Sequence, residues 1–304
     1  MGKKATDEVG PEPIRFTQRS IRARDGIPLS ARIHSSAPLG QRGAVFVCLP
    51  SIDRTAREFD QFARVACSSH SATIIALDAR GRGASGSGAY GYSKDADDLI
   101  DALTALGIEH AFFVASGYGG LVCLSLATNR PGAMRSLTLL DGGPALDATG
   151  LARLQYRLRR EASYENRDQA IERLMAYDRK HFPKAESSDF AAMVGASYAQ
   201  STTQKAERWV PDLQPDFLKR LSNLDLSEAM SARWDLFAGL AHVPMLIMQP
   251  SNSTMVDKQA FQAMLTARKT VSSPTRHISL TDQGSTPILS GKLAKAVMDF
   301  HLTA

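Results

Sequence analysis

Ala111-Phe112-Phe113-Val114-Ala115-Ser116-Gly117-Tyr118-Gly119-Gly120-Leu121-Val122-Cys123-Leu124-Ser125-Leu126-Ala127 is an apolar run of strand length, a glycine-bearing turn and an apolar helical stretch with nothing between them. A strand that turns straight into a helix is the elbow that, in its Gly-x-Ser-x-Gly form, lifts a serine nucleophile on a strained turn above the end of a sheet. The five matching positions are Ala115, Ser116, Gly117, Tyr118 and Gly119, so glycine stands where the nucleophile would be. Glycine has no Cβ to clash and suits such a backbone. It carries no attacking atom. The pattern predicts the turn without its usual chemistry.

Outward from the elbow, strand and helix signals alternate. Strands are expected over 14–24 and 28–34, joined by the turn signal Asp25-Gly26, and over 44–49, 73–77, 111–116, 136–140, 244–248 and 276–280. Helices are expected through Ala56, Phe59, Phe62, Ala63 and Ala66, over 94–106 with Ser93 as N-cap, and over 118–129, 258–268 and 288–301. Such alternation predicts an α/β, doubly wound, mostly parallel sheet covered on both faces. Between 144 and 238 the chain turns charged and helical, with no strand of the buried type. The expected organisation is a loose leader over 1–12, a core over 13–143 and 239–304, and a helical cap inserted over 144–238.

Composition narrows the function classes. With 36 basic and 31 acidic residues the net charge is +5, and the basic residues are scattered apart from Arg153, Arg157, Arg159 and Arg160. A nucleic-acid surface would show a denser stripe, so no nucleic-acid partner is expected and this cluster reads as a solvated helix face. No stretch is apolar and long enough for a membrane span. Cys48, Cys67 and Cys123 have neither disulfide-framework nor metal-site spacing, so no metal is expected. A cytoplasmic location is expected. Gly81-Arg82-Gly83-Ala84-Ser85-Gly86 matches a dinucleotide-binding pattern literally. The helix that such a loop must open is missing, and no cofactor is expected.

Several segments in one order resemble the α/β-hydrolase superfamily, and in particular its cap-containing bacterial branch of carboxylesterases, C–C bond hydrolases and proline iminopeptidase-like proteins. Leu49-Pro50-Ser51-Ile52-Asp53-Arg54 is similar to the oxyanion loop, and Asp78-Ala79-Arg80-Gly81-Arg82-Gly83-Ala84-Ser85 to the Asp-x-Arg-Gly-x-Gly-x-Ser loop. Leu106-Gly107-Ile108-Glu109-His110 resembles the approach to the elbow, and His242-Val243-Pro244-Met245-Leu246 the return to the core. The resemblance implies an α/β-hydrolase fold and places a Ser-His-Asp triad on three positions of this chain. The nucleophile position is Gly117. The acid position falls on Thr254, with Asn252 as the alternative, and the histidine position on Ser285. None of these residues can do the triad's work.

Losing the nucleophile or base of a triad costs about 10⁶ in turnover. The expectation is therefore a pseudo-hydrolase, a small-molecule-binding protein on a hydrolase scaffold. The alternative is an enzyme with chemistry that needs no triad, such as a lyase, an isomerase or a weak hydrolase of esters and carbonyl compounds. Backbone N–H groups survive any side-chain change, so Ile52 and Tyr118 keep the donors of an oxyanion hole. With Ser51 and Ser116 they make up the expected ligand contacts. The ligand class they fit is a small molecule with a carbonyl or carboxylate group, and a homo- or hetero-oligomer is compatible with the sequence. Among the histidines, His181, beside Phe182-Pro183, is the one placed to overhang such a pocket; a packing role is the simpler reading. Trp209 and Trp234 are expected to anchor cap to core.

Overall fold

The computed structural model describes residues 16–36, 43–160, 163–201, 208–226 and 231–304; the expected leader over 1–12 lies outside them. Thr17–Arg22 (β1) and Pro28–Ser35 (β2) form an antiparallel hairpin whose turn glycine, Gly26, sits at φ 86°. Then follow Ala44–Leu49 (β3), a 3₁₀ turn Ala56–Phe59, Asp60–Ser69 (α1), Ala72–Asp78 (β4) and Tyr92–Ala105 (α2). Ala111–Ser116 (β5), Gly119–Asn129 (α3) and Met134–Leu140 (β6) complete the first half. After β6 come Ala148–Arg160 (α4), Arg167–Asp178 (α5), Ser187–Ser197 (α6), Tyr198–Gln200 (β7), Trp209–Pro211 (β8), Pro215–Ser222 (α7) and Trp234–Ala238 (α8). Met245–Asn252 (β9), Lys258–Arg268 (α9), Thr275–Gly284 (β10) and Gly291–Thr303 (α10) close the chain.

The main sheet runs β1-β2-β4-β3-β5-β6-β9-β10, with the β1–β2 and β2–β4 pairs antiparallel and the remaining pairs parallel. Alternate residues feed opposite faces. On β3, Val47 and Leu49 join a core with α2 and α3, while Phe46 and Cys48 join one with α1 and α10. Burial on both faces explains why these strands read as continuous apolar runs. Strand order reverses between β4-β3 and β3-β5, and the crevice beyond the carboxyl ends of such strands is where ligands bind in open α/β sheets.

The chain leaves the sheet after β6 and returns at β9, its direct neighbour, with Leu137 opposite Met245. Between them, Ile171, Leu174, Phe190, Val194 and Tyr198 build a third apolar cluster. It docks on the loop after β3, where the Thr55 N–H and hydroxyl both donate to the Ala196 carbonyl, at 2.9 and 3.0 Å.

Two local expectations are corrected. Helix α2 begins at Tyr92 with Gly91, at φ 145°, in the N-cap position; that conformation is open to glycine and lets the helix start ahead of Ser93. The segment after β6 also carries a short ribbon, β7 paired with β8 over three residues, neither of them a strand of the buried type. Trp209 lies in that ribbon and packs on the third cluster, so only Trp234 packs on the core beneath the sheet.

Candidate functional site

Gly117 has φ 48° and donates its N–H to the Leu140 carbonyl at 2.9 Å. The neighbouring glycines are there for contact: a Cβ on Gly142 would lie 2.7 Å from the Gly117 carbonyl, and one on Gly119 would strike the Leu49 carbonyl. The decisive contact is at Gly117. A Cβ there would lie 2.7 Å from Ser51 Oγ and 3.0 Å from Thr286 Cγ2. A side chain at this position would meet side-chain atoms of the loop after β3 and of the loop after β10.

Ser51 is fixed by its own loop. Its N–H donates to Glu58 Oε2 at 2.9 Å, and Arg54 Nη1 donates to Glu58 Oε1 at 2.9 Å and to the Thr286 carbonyl at 2.6 Å. Arg54 and Glu58 are both buried, and burial raises the Glu58 carboxyl above its ordinary range while Arg54 opposes that rise. Ser116 is fully buried and is absent from the walls of the described cavities. Its expected place among the ligand contacts is corrected: strand alternation carries its side chain into the protein.

The two other positions onto which the resemblance places a triad meet. Ser285 Oγ accepts the Thr254 N–H at 2.9 Å and lies 3.2 Å from Thr254 Oγ1. Asn252 instead holds the helical segment, donating through Nδ2 to the His181 carbonyl at 3.0 Å. Behind them is a carboxylate that the sequence reading missed. Asp141, at the carboxyl end of β6 with φ 50°, accepts Ser253 Oγ at 2.5 Å and the Thr286 N–H at 2.8 Å. It is completely buried, and burial pushes it up to about 7 although Ser253, Thr286 and the Ser285 hydroxyl all favour the charged form. The available signal was an acidic residue ending a buried-type strand next to the elbow, in Leu140-Asp141-Gly142-Gly143.

Two cavities flank this centre. The polar one, of about 90 Å³, is walled by Ser51, Thr254, Ser285, Thr286 and the side chains of Arg153 and Arg157. The solvated-face reading of the arginine cluster is thereby corrected. Arg157 pairs with Asp53 at 2.5 Å, and Arg153 donates to His181 Nε2 at 2.5 Å; only Arg159 and Arg160 are exposed. The apolar cavity, of about 250 Å³, is walled by Ile52, Tyr118, Tyr90, Leu151, Phe217 and Leu221. Among the described residues, the Ile52 and Tyr118 N–H groups make no hydrogen bond to backbone or side chain.

The loop after β4 is structural. Asp78 Oδ1 accepts the Ala56 N–H at 2.7 Å, and Ser85 Oγ donates to the Asp78 carbonyl at 2.6 Å. A Cβ on Gly83, at φ 54°, would lie 2.5 Å from Asp78 Oδ2. Arg80, with no exposed surface, clamps Asp98 through two bonds of 2.6 and 2.5 Å and reaches Asp25 at 3.0 Å. Arg82 donates to the Ile52 carbonyl at 2.9 Å, so this loop sets the position of the one after β3. No group of three His, Cys, Asp or Glu among the described residues is arranged to hold a metal ion, and no helix among them is long and apolar enough to cross a membrane.

Residues 46–283 match the model of the alpha/beta hydrolase family. The chain belongs to this family. It is 23% identical over 250 residues to the 3-hydroxybutyrate-oligomer hydrolase of Cupriavidus necator, covering 80% of this chain and 83% of that protein. An alpha/beta hydrolase from Novosphingobium aromaticivorans superposes with a TM-score of 0.78 at 22% identity, over 94% of this chain and 98% of that one. E-2-(acetamidomethylene)succinate hydrolase superposes at 0.73 with 19% identity, over 94% and 99%. The doubly wound sheet is thus an α/β-hydrolase fold, as its motifs imply.

Proposed function

We propose that this alpha/beta hydrolase family member binds a small carbonyl or carboxylate compound without hydrolysing it, the residues after β6 acting as a cap over the site. The observation that carries this reading is the closure at Gly117: its side-chain direction ends on Ser51 Oγ at 2.7 Å, and the acid and histidine positions bond to each other through Thr254 and Ser285. Serine hydrolysis needs a nucleophile within hydrogen-bond reach of a base. The histidine that lines the polar cavity, His181, already has its Nε2 lone pair engaged by Arg153. What remains on the scaffold is recognition: cavities on both sides of the elbow and, on Ile52 and Tyr118, backbone donors suited to a carbonyl oxygen.

The relatives are named for substrates that carry ester or amide bonds together with carboxylates, and this supports the ligand class. The test is a fluorophosphonate probe and a set of p-nitrophenyl esters run beside a thermal-shift panel of hydroxy acids, lactones and short esters. The expected outcome is no covalent adduct, no turnover, and stabilisation by at least one class; a ligand at a hundredfold its Kd contributes about 2.7 kcal/mol. Labelling by the probe refutes the reading.

A further inference from the structure

Arg153 and Arg157 stand four residues apart on α4, one helical turn, and both guanidiniums face the polar cavity. Their charges are matched unequally. Arg54 is paired with Glu58 at 2.9 Å and Arg157 with Asp53 at 2.5 Å. Among the described residues Arg153 pairs with one carboxylate, Asp178, at the longer distance of 3.4 Å, and spends Nη1 on His181 at 2.5 Å. An arginine only donates, so His181 Nε2 is the acceptor and the ring is neutral, with its Nδ1–H directed at the Asn252 carbonyl at 3.3 Å. Burial, and then Arg153, push His181 below its ordinary pKa, which keeps it neutral. His181 thereby holds Arg153 in place without adding a charge, and Asp178 is its carboxylate partner. The same cavity is lined by Ser51, Thr254 and Ser285, and by Asp53 and Asp178, the carboxylates paired with Arg157 and Arg153.

We infer that this cavity is a binding site for a short monocarboxylate bearing a second oxygen, its carboxylate held by Arg153 beside Arg157 and its second oxygen by the hydroxyls of Ser51, Thr254 and Ser285. The inference rests on the ligand-binding reading above and names the ligand class of that site. At 3.4 Å from its carboxylate, Arg153 is the least tightly paired of the three cations; one such cation suits a monoanion better than a dianion, and a guanidinium fork suits a planar carboxylate. A volume of about 90 Å³ has room for roughly six to nine water-sized groups, the size of a three- to five-carbon acid.

The test is calorimetric titration of the full chain at low ionic strength with 2-hydroxybutanoate, its amide, its methyl ester and inorganic phosphate. The acid is expected to bind and its amide to bind at least tenfold more weakly, because a hydrogen bond to a charged group is at stake. Arg153→Gln is expected to weaken the acid at least tenfold, and Arg160→Gln, at an exposed position of the same helix, to leave it unchanged. If Arg153→Gln fails to fold, Arg153→Lys keeps the charge without the fork and is expected to weaken binding severalfold. Failure of the acid to bind overturns the inference. So does equal binding of the amide, tighter binding of phosphate, or indifference to both Arg153 variants. A protein that takes the methyl ester but not the acid keeps the ligand-binding reading and loses this one; labelling by a fluorophosphonate removes the reading itself.

Discussion

At the scale of single residues, the approach of Ser51 to Gly117 decides whether a side chain fits at the elbow. A serine at position 117 would accept φ 48° at about 1–2 kcal/mol and would also place its Cβ 2.7 Å from Ser51 Oγ. Gly117→Ser is therefore expected to lose about 2–3 kcal/mol, within the range of strained and overpacked substitutions. Adding Ser51→Gly should return the overlap and leave the backbone cost, so urea denaturation should show the two changes coupled by about 1 kcal/mol. Neither variant is expected to turn over p-nitrophenyl acetate, since no base faces the new hydroxyl. Ester hydrolysis should emerge only with Ser285→His added. Additive stabilities would mean that Ser51 does not fill the position. The glycine itself was readable in the sequence; its filled surroundings were not, because Ser51 and Thr286 come from loops far apart in the chain.

Among elements, the loops after β3 and β10 are tied by one buried pair. Arg54 joins Glu58 to the Thr286 carbonyl, and Glu58 holds the Ser51 N–H. Removing one partner strands a buried charge, at about 3–5 kcal/mol, whereas removing both with similar volume is often neutral. Arg54→Met is expected to cost that amount and Arg54→Met/Glu58→Gln distinctly less, measured by chemical denaturation. A double variant no better than the single would place the stabilisation in the Thr286 bond instead. Elements were legible where burial writes itself into composition: Ala44–Leu49, Ala111–Ser116 and Lys258–Arg268 have the bounds that their apolar patterns predict. They were illegible where partners are distant. The ribbon of β7 and β8 is too short for periodicity to register. Arg157 looks solvated on its own helix, and only folding brings it to Asp53, 104 positions away in sequence.

For the molecule as a whole, two buried groups pull its stability in opposite directions with pH. His301 of α10 lies between Ser136 and Thr138 of β6, at 2.6 and 2.8 Å, and burial lowers it from 6.5 to about 3. The unfolded chain takes that proton first, so this group costs nothing above pH 6.5 and progressively destabilises the fold as pH falls from there to 3. Asp141 runs the other way, raised from 3.8 to about 7. The folded chain takes its proton first, so stability falls as pH rises from 3.8 to 7 and is level beyond. Each shift is worth about 4–5 kcal/mol at its limit, and between pH 4 and 6.5 the two nearly cancel. Separating them requires difference curves, because the paired carboxylates titrate in both wild type and variant. The stability of Asp141→Asn relative to wild type is expected to climb between pH 4 and 7 and then hold. That of His301→Gln relative to wild type is expected to decline between pH 4 and 6.5. Denaturant midpoints at half-unit pH steps read both curves, and parallel slopes in the two variants would refute the opposition. The sheet and its helices follow from apolar patterning alone, but this balance follows from where two strands end and one helix docks.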